Sequence, residues 1–250
     1  MNRYLIYGAL VIGCALPFGG RLGPALAASE AGPPTTANDE VRQQPHAPGI
    51  ESPGYVWNEA KGEEFRALQL TGDAIRGAYA YKLCRNCHGY DAAGDAAGFY
   101  PRLAGQHATV LIKQLVDVRE GRRDNPKMYP YATEHSISTQ QIADIAIYLQ
   151  GLPVDPEHGR GSGGDMSRGA RLYAEDCEVC HGRAGEGNAA ELHPRLAGQH
   201  HAYLLRQTFA IRDGERRNAS PDMVRAVKRY SDQQIVDVIN YVSWLDGQDQ

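Results

Sequence analysis

Two short motifs place thiols and an imidazole at a spacing that suits one kind of chemistry. The pattern Cys-x-x-Cys-His occurs at residues 84–88 and again at residues 177–181, and a glycine follows each. This pattern is the attachment signature of c-type heme. The two thiols form thioether bonds to the porphyrin vinyl groups, and the histidine then faces the iron as the proximal ligand. The sequence therefore predicts two covalently bound hemes, with Cys84, Cys87, Cys177 and Cys180 as attachment residues and His88 and His181 as iron ligands.

Other uses of paired cysteines fit the sequence less well. A thioredoxin-like redox pair needs a βαβ context, which the pattern of residues does not show. Zinc sites built from four cysteines usually have their two pairs about 15–20 residues apart, whereas these pairs are 93 residues apart. A disulfide across two intervening residues would be strained and would leave the histidine unexplained. Heme attachment is the interpretation that uses every residue of the motif.

The motifs belong to a longer internal repeat. The heptapeptide at residues 101–107, Pro-Arg-Leu-Ala-Gly-Gln-His, recurs without change at residues 194–200, again at an offset of 93. Gly121 and Gly214 have the same offset. A constant offset across several landmarks indicates a duplicated domain of about 90 residues.

Each repeat has the periodicity of helices. Leu111, Leu115 and Val118 have the i, i+4, i+7 spacing of one apolar helix face. Ser138 and Ser231 each precede a glutamine by three residues, which is a capping box at the start of the last helix of each repeat. No convincing alternation of apolar and polar residues indicates a sheet, so the predicted fold class is all-α.

The sixth iron ligand is predicted from the few methionines. Met1 and Met166 lie outside the two repeats, whereas Met128 and Met223 each follow a polar, turn-rich segment that could fold over a heme face. Methionine and histidine together raise the reduction potential of a heme. We therefore predict Met128 and Met223 as metal ligands, with His135 as the alternative for the first heme.

A second set of residues is expected to support the hemes. A histidine bound to a metal usually donates its other N–H to a carbonyl or carboxylate. Pro101 and Pro194 each lie 13 residues after a proximal histidine and are candidates for that carbonyl. Arg102 and Arg195 could bind heme propionates, with solvent-exposed positions as the alternative, while His107 and His200 are expected at the polar surface.

The N-terminus has the pattern of an export signal. A positive start, an apolar stretch and the small-x-small site Ala25-Leu26-Ala27 predict a signal peptide at residues 1–27 and a periplasmic location. A retained membrane anchor and a lipoprotein, with Cys14 as the lipidated residue, stay as alternatives.

We expect a flexible tether at residues 28–60, heme domain 1 at 61–152, a linker at 153–167 and heme domain 2 at 168–250. The mild net charge of −4, without a basic stripe, excludes a nucleic-acid binder.

From residue 70 to residue 247 the chain resembles a known family. Two Cys-x-x-Cys-His-Gly motifs, each followed by Pro-Arg-Leu-Ala-Gly-Gln and then by a methionine in an Asn/Pro-rich loop, are similar to those of two-heme class I cytochromes of the cytochrome c4 type. The resemblance implies two tandem helical domains related by a pseudo-twofold axis, with hemes close enough for fast internal electron transfer. By position, it assigns Met128 to heme 1 and Met223 to heme 2.

The resemblance also implies an electron carrier and no catalytic residues. Its expected role is to move single electrons in the periplasm from a quinol-oxidising complex to a terminal oxidase. A dedicated cytochrome subunit of a periplasmic dehydrogenase is the first alternative. A two-heme redox enzyme, such as a peroxidase or thiosulfate dehydrogenase, is the second, and it would need one iron that is open or unusually ligated.

Overall fold

The computed structural model describes residues 43–247. Within them the chain is helical, with an isolated β-bridge between Asn188 and His193 in place of any strand. The helices of the first repeat are α1 (Gly62–Gln69), α2 (Ala74–Ala80), α3 (Arg85–His88), α4 (Ala108–Glu120), α5 (Tyr129–Ala132) and α6 (Thr139–Gln150), with a 3₁₀ turn at Tyr81–Leu83. Those of the second are α7 (Met166–Asp176), α8 (Glu178–His181), α9 (His201–Arg212), α10 (Pro221–Lys228) and α11 (Asp232–Val242). The predicted all-α class is confirmed.

In each repeat, the helix before the Cys-x-x-Cys-His motif crosses the last helix at a glycine. A Cβ atom on Gly77 would lie 2.0 Å from the carbonyl oxygen of Asp144, and one on Gly169 would lie 2.2 Å from that of Asp237. Only glycine therefore permits α2 to approach α6, and α7 to approach α11, this closely. Gly77 and Gly169 therefore have the same packing role in the two repeats.

An ion pair between a partly exposed arginine and a buried aspartate fixes each crossing. Arg76 Nε donates to Asp144 at 2.8 Å, and Arg168 forms the equivalent bond to Asp237. Both aspartates are buried, and each also accepts from the backbone N–H of the residue that caps its partner helix. Both predicted capping boxes, at Ser138 and Ser231, are present at the starts of α6 and α11. Each repeat thus holds its last helix in the same way.

The two repeats meet through the heptapeptide that they share. The side chain of Gln106 pairs with the backbone of Arg195, donating to its carbonyl and accepting from its N–H, both at 2.9 Å. Gln199 pairs with the backbone of Arg102 in the same way, at 2.9 and 3.0 Å. Four hydrogen bonds therefore cross the interface as two equivalent pairs.

The histidines at the ends of the heptapeptides extend this interface. His107 Nε2 donates to the carbonyl of Glu186 at 2.8 Å, and His200 Nε2 donates to that of Ala93 at 2.6 Å. These four positions have the same offset of 93 residues. His200 is buried, and its Nδ1 accepts from the N–H of Gly159. The expectation that His107 and His200 lie at the polar surface is wrong, because both bind the opposite repeat.

Part of the expected tether contacts both repeats. Residues 28–42 lie outside the described residues, as does the predicted signal peptide at 1–27. Residues 44–57, which we call the N-terminal segment, run across the two repeats. Gln44 binds residues of the first repeat, and the Trp57 indole donates to Asn218 of the second at 3.1 Å. Composition alone predicts little structure here, because Pro, Gly and polar residues give no periodic signal for contacts made elsewhere in the chain.

Among the helices of residues 43–247, none has the length and apolar character needed to cross a membrane. The longest, α4, has 13 residues. A span of the hydrocarbon core needs about 20 residues.

Candidate heme sites

Each Cys-x-x-Cys-His motif forms one helical turn that ends at a glycine. Helices α3 and α8 end at His88 and His181, and the following Gly89 and Gly182 have φ values of 84° and 78°. A positive φ favours glycine because it has no Cβ. The Tyr81 hydroxyl donates to the carbonyl of Gly89 at 2.8 Å, and Tyr173 does the same for Gly182 at 2.6 Å. This turn brings both cysteines and the histidine of each motif together.

In the described part of the chain, none of the four motif cysteines forms a disulfide. Cys84 is buried, and burial followed by the nearby Cys87 raises its pKa to about 11. Burial likewise raises the pKa of Cys177 to about 12. A thiol with a raised pKa carries little thiolate at neutral pH and is a poor partner for redox exchange. The raised pKa values of Cys84 and Cys177 therefore argue against a dithiol redox centre.

Both motif histidines are buried and have a fixed ring orientation. His88 Nδ1 donates to the carbonyl of Pro101 at 3.1 Å, and His181 Nδ1 donates to that of Pro194 at 3.0 Å. The predicted proline carbonyls are confirmed. Burial lowers the pKa of His181 to about 4 against the opposing effect of the Pro194 bond, so its ring is neutral at pH 7. With Nδ1 engaged, Nε2 is the nitrogen that would bind iron.

A cavity of about 400 Å³ lies beside the second motif. That volume is within the usual range for cofactor sites, about 300–1,000 Å³. Cys180, His181 and Met223 all line it, and much of its remaining wall is aliphatic. A cysteine, a neutral histidine and a methionine around one largely apolar cavity fit a porphyrin with an iron at its centre.

The two candidate methionines occupy different local structures. Met223 lies in α10 and packs with Ile211, Ala219 and Val227 beside the cavity. Met128 is half-buried at the residue that caps α5, and its N–H bonds to Asn125. The alternative ligand for heme 1, His135, is exposed. Met128 and Met223 stay predictions as ligands, and their burial is the observation that favours them.

The arginines expected at the propionates have other partners. Arg102 donates to the carbonyls of Asp155 and Glu157 at 2.5 and 3.1 Å. Arg195 donates to those of Ala197 and Asp246 at 3.3 and 3.1 Å. Both side chains therefore tie the interdomain linker and the C-terminal residues to the heptapeptides.

Arg123 and Arg216 line the cavity together with Arg102 and Arg195. Arg123 and Arg216, again 93 residues apart, share the amide oxygens of Gln114 and Gln207. Within residues 43–247 neither arginine forms an ion pair with a carboxylate. Burial raises the pKa of Tyr203, but the neighbouring arginine guanidiniums, including Arg123 and Arg216, outweigh burial and lower that pKa. Guanidiniums on the cavity wall that form no direct ion pair fit the propionates, so Arg123 and Arg216 are further candidates to hold them.

The sequence signal for this pair was available. Arg123 and Arg216 each lie two residues after the matched Gly121 and Gly214, at the same offset as the motifs.

The surroundings of the two hemes differ at the residue just before each proline carbonyl. Tyr100 lies with its ring edge toward His88 at 6.1 Å, whereas His193 lies 6.2 Å from His181 and stacks on Trp57. No motif or repeat in the sequence singles out His193 or Trp57.

Comparisons with known proteins agree with this geometry. The family model described as cytochrome c matches residues 74–153 and 166–246. The chain is 36% identical over 193 residues to a "Thiosulfate dehydrogenase electron acceptor" of Stutzerimonas stutzeri, covering 73% of this chain and 87% of that protein. It is 32% identical over 196 residues to cytochrome c4 of Azotobacter vinelandii, covering 70% and 90%.

A solved structure has the same fold. Reduced recombinant cytochrome c4 from Pseudomonas stutzeri superposes with a TM-score of 0.60 at 28% identity, covering 70% of this chain and all of that one. The matched regions contain both Cys-x-x-Cys-His motifs, so the predicted two covalently bound heme c groups are confirmed. The helical pair of domains, the duplicated attachment turns and these relatives together show that the chain belongs to the cytochrome c family, as a two-heme electron carrier of the cytochrome c4 type.

Proposed function

We propose that the chain is a periplasmic carrier in which two hemes, each bound by histidine and methionine, exchange single electrons with protein partners. His88 and Met128 would bind the iron of heme 1, and His181 and Met223 that of heme 2. The hemes supply the Fe(III)/Fe(II) couple. The chain fixes the orientation of each imidazole, excludes water with aliphatic side chains and closes the sixth position, which suits electron exchange better than catalysis.

One observation carries the proposal of an internal relay. The cavity beside His181 and Met223 is also lined by residues of the first repeat, among them Leu103 and Leu111. The second heme site therefore opens onto the interface that the heptapeptides form. An electron that enters at one repeat would reach the other through this shared interface without passing through solvent.

The first candidate for the partners is a respiratory pair. A quinol-oxidising complex would reduce the protein, and a terminal oxidase would accept its electrons. Histidine and methionine ligation raises the potential of a heme and suits this position between donor and oxidase.

A second candidate donor is a thiosulfate-oxidising dehydrogenase. The similarity to the electron acceptor from Stutzerimonas stutzeri, at 36% identity, favours it. In that case the protein would be the dedicated acceptor of one enzyme, and export would place it in the compartment where that enzyme works. The site geometry is the same for both candidates, so the partner decides between them.

Reduction kinetics separate the two donors. The oxidised two-heme protein is mixed with a thiosulfate dehydrogenase and thiosulfate, or with a quinol-oxidising complex and quinol, and heme reduction is followed by stopped-flow absorption. We expect the quinol-oxidising complex with quinol to reduce both hemes. Fast reduction only with the dehydrogenase would support the second candidate, and no reduction by either would contradict both.

Ligation is tested on the same protein. Met128→Ala should lose the near-infrared methionine-to-iron band of one heme, and Met223→Ala that of the other. Met166→Ala is the matched control, because Met166 is 40% exposed at the start of α7. An unchanged band in Met128→Ala would show that heme 1 has a different sixth ligand.

A further inference from the structure

The N-terminal segment lies against the two loops that carry the candidate methionines. It lies outside residues 74–153 and 166–246, which the cytochrome c model matches. Its contacts are therefore an addition to the two repeats.

In the first repeat the segment holds the loop before Met128. Gln44 Nε2 donates to the carbonyls of Val118 and Arg123, both at 2.7 Å. Gln44 Oε1 accepts from the N–H of Asn125 at 2.8 Å, and the side chain of Asn125 accepts from the N–H of Met128 at 3.2 Å. One glutamine side chain thus spans the loop from the end of α4 to a residue that bonds directly to Met128.

The segment also passes very close to the turn at the end of α4. The N–H of Ala47 donates to the carbonyl of Gly121 at 3.1 Å. A Cβ on Gly121 would lie 1.8 Å from the carbonyl oxygen of Pro45, and its φ is +77°. A glycine at position 121 is therefore needed for two reasons. It ends α4 in the left-handed conformation, and it leaves room for the backbone of the N-terminal segment.

In the second repeat the segment holds the loop before Met223. The N–H of Ile50 donates to the carbonyl of Arg217 at 2.8 Å, and Trp57 Nε1 donates to that of Asn218 at 3.1 Å. The Trp57 ring stacks on the His193 ring, with their centroids 5.8 Å apart. The His193 ring in turn faces His181. The loop is thus bonded to a ring that also lies in the cavity wall.

Arg217 joins the segment to both loops at once. Its guanidinium donates to Glu51 at 2.7 Å and to the carbonyl of Ala47. It also reaches the first repeat, at Gly121 O (3.1 Å) and Asp124 (3.2 Å). The Arg217 side chain is only 9% exposed, whereas its partners Glu51 and Asp124 are 48% and 46% exposed, so the arginine is the shielded side of these ion pairs.

We propose that the N-terminal segment is a positioning element that holds Met128 and Met223 on their hemes, with Gln44 acting on heme 1 and Trp57 on heme 2. This inference rests on the proposed methionine ligation. Displacing a methionine from iron requires its loop to swing away. Each hydrogen bond between the segment and a loop must break in that motion, so the bonds lower the population of the open loop.

An external ligand measures this population directly. Imidazole binds ferric heme only when the methionine has left, so its apparent affinity scales with the fraction of open loop. Removing the bonds of Gln44 in Gln44→Ala should raise the imidazole affinity of heme 1 about tenfold and leave that of heme 2 within about twofold. Trp57→Phe keeps an aromatic ring but removes the N–H donor. It should raise the imidazole affinity of heme 2 and leave that of heme 1 nearly unchanged.

Trp244→Phe is the matched control. Trp244 Nε1 also donates to a backbone carbonyl, that of Gly161 at 3.0 Å, but it lies near the interdomain linker and not at a methionine loop. Imidazole titrations of the ferric two-heme protein, with proton NMR of the axial methionine methyl groups to separate the hemes, give the readout. Trp244→Phe should bind imidazole like the wild type at both hemes.

Two results would overturn the inference. One is unchanged imidazole affinity in both Gln44→Ala and Trp57→Phe. The other is an equal rise at both hemes in all three variants, which would indicate general loosening. A failure of the ligand assignment looks different: Met128→Ala would then keep the methyl signal and the imidazole affinity of heme 1.

Discussion

Gln199 gives the sharpest test of the interface between the repeats. Its amide pairs with both backbone groups of Arg102, and both residues are buried, at 8% and 4% exposure. Gln199→Ala leaves the N–H and carbonyl of Arg102 without their partner, and it also removes the acceptor of the His200 N–H. Because an unpaired buried polar group costs about 1–3 kcal/mol, we expect the free energy of unfolding to fall by about 2–4 kcal/mol.

The equivalent change in the other repeat should cost less. Gln106 and Arg195 form the same pair but are half-buried, so water can replace part of what is lost. We expect Gln106→Ala to lower the free energy of unfolding by about 1–2 kcal/mol. The ranking of the two variants follows from burial alone, since the two pairs have nearly the same distances.

Urea denaturation of the two-heme protein, followed by far-UV circular dichroism, measures both effects. Gln69→Ala is the control, because Gln69 is an exposed glutamine at the end of α1 and should change stability by less than about 0.5 kcal/mol. If Gln199→Ala were as stable as this control, the reasoning about the interface would be refuted. The slope of the transition must also be compared, because domains that separate would unfold in two steps.

Three further predictions test the packing and charges of the repeats. Gly77→Ala should lower stability by about 1–3 kcal/mol in thermal unfolding, because its Cβ would lie 2.0 Å from Asp144 O, whereas Gly151→Ala, with no neighbour nearer than 3.6 Å, should be nearly neutral. Burial raises the pKa of Asp237, but the donors Arg168, Asp165 N–H and Gln233 outweigh it and hold that pKa below its usual 3.8. This carboxylate should stabilise the fold fully above pH 3.8 and progressively less as pH falls through its lowered pKa, so Asp237→Asn should flatten stability-versus-pH curves in that acid range. Arg216→Gln removes a buried positive charge beside the cavity and should lower one heme potential by on the order of tens of millivolts in a redox titration, and an unchanged potential would place the propionates elsewhere.

The sequence predicts what is local and what is duplicated. The attachment turns, the capping boxes at Ser138 and Ser231 and the apolar faces of the helices all depend on residues within a few positions of one another, and the structure has each of them. The carbonyls of Pro101 and Pro194 were predictable because both lie at the same short distance along the chain from a motif histidine.

Contacts between the repeats were not predictable in the same way. Nothing in the periodicity of one repeat says that Gln106 or His107 faces the other, because that depends on how two complete domains pack. The unchanged heptapeptide was nevertheless a signal: the proline carbonyl explains one of its seven residues, and the interface bonds of the arginine, glutamine and histidine explain three more. The N-terminal segment had no such signal, since it occurs once and its partners, such as Asn218, lie far along the chain.

The paired glutamines have a consequence for the origin of the chain. When residue i of one unit binds residue j of another, and j of the first binds i of the second, the surface is self-complementary and the contact is isologous. Here the two units are one chain, yet Gln106 with Arg195 and Gln199 with Arg102 obey that rule. A single repeat would therefore carry both sides of this hydrogen-bond pairing, so duplication of one domain placed two self-complementary surfaces in one chain.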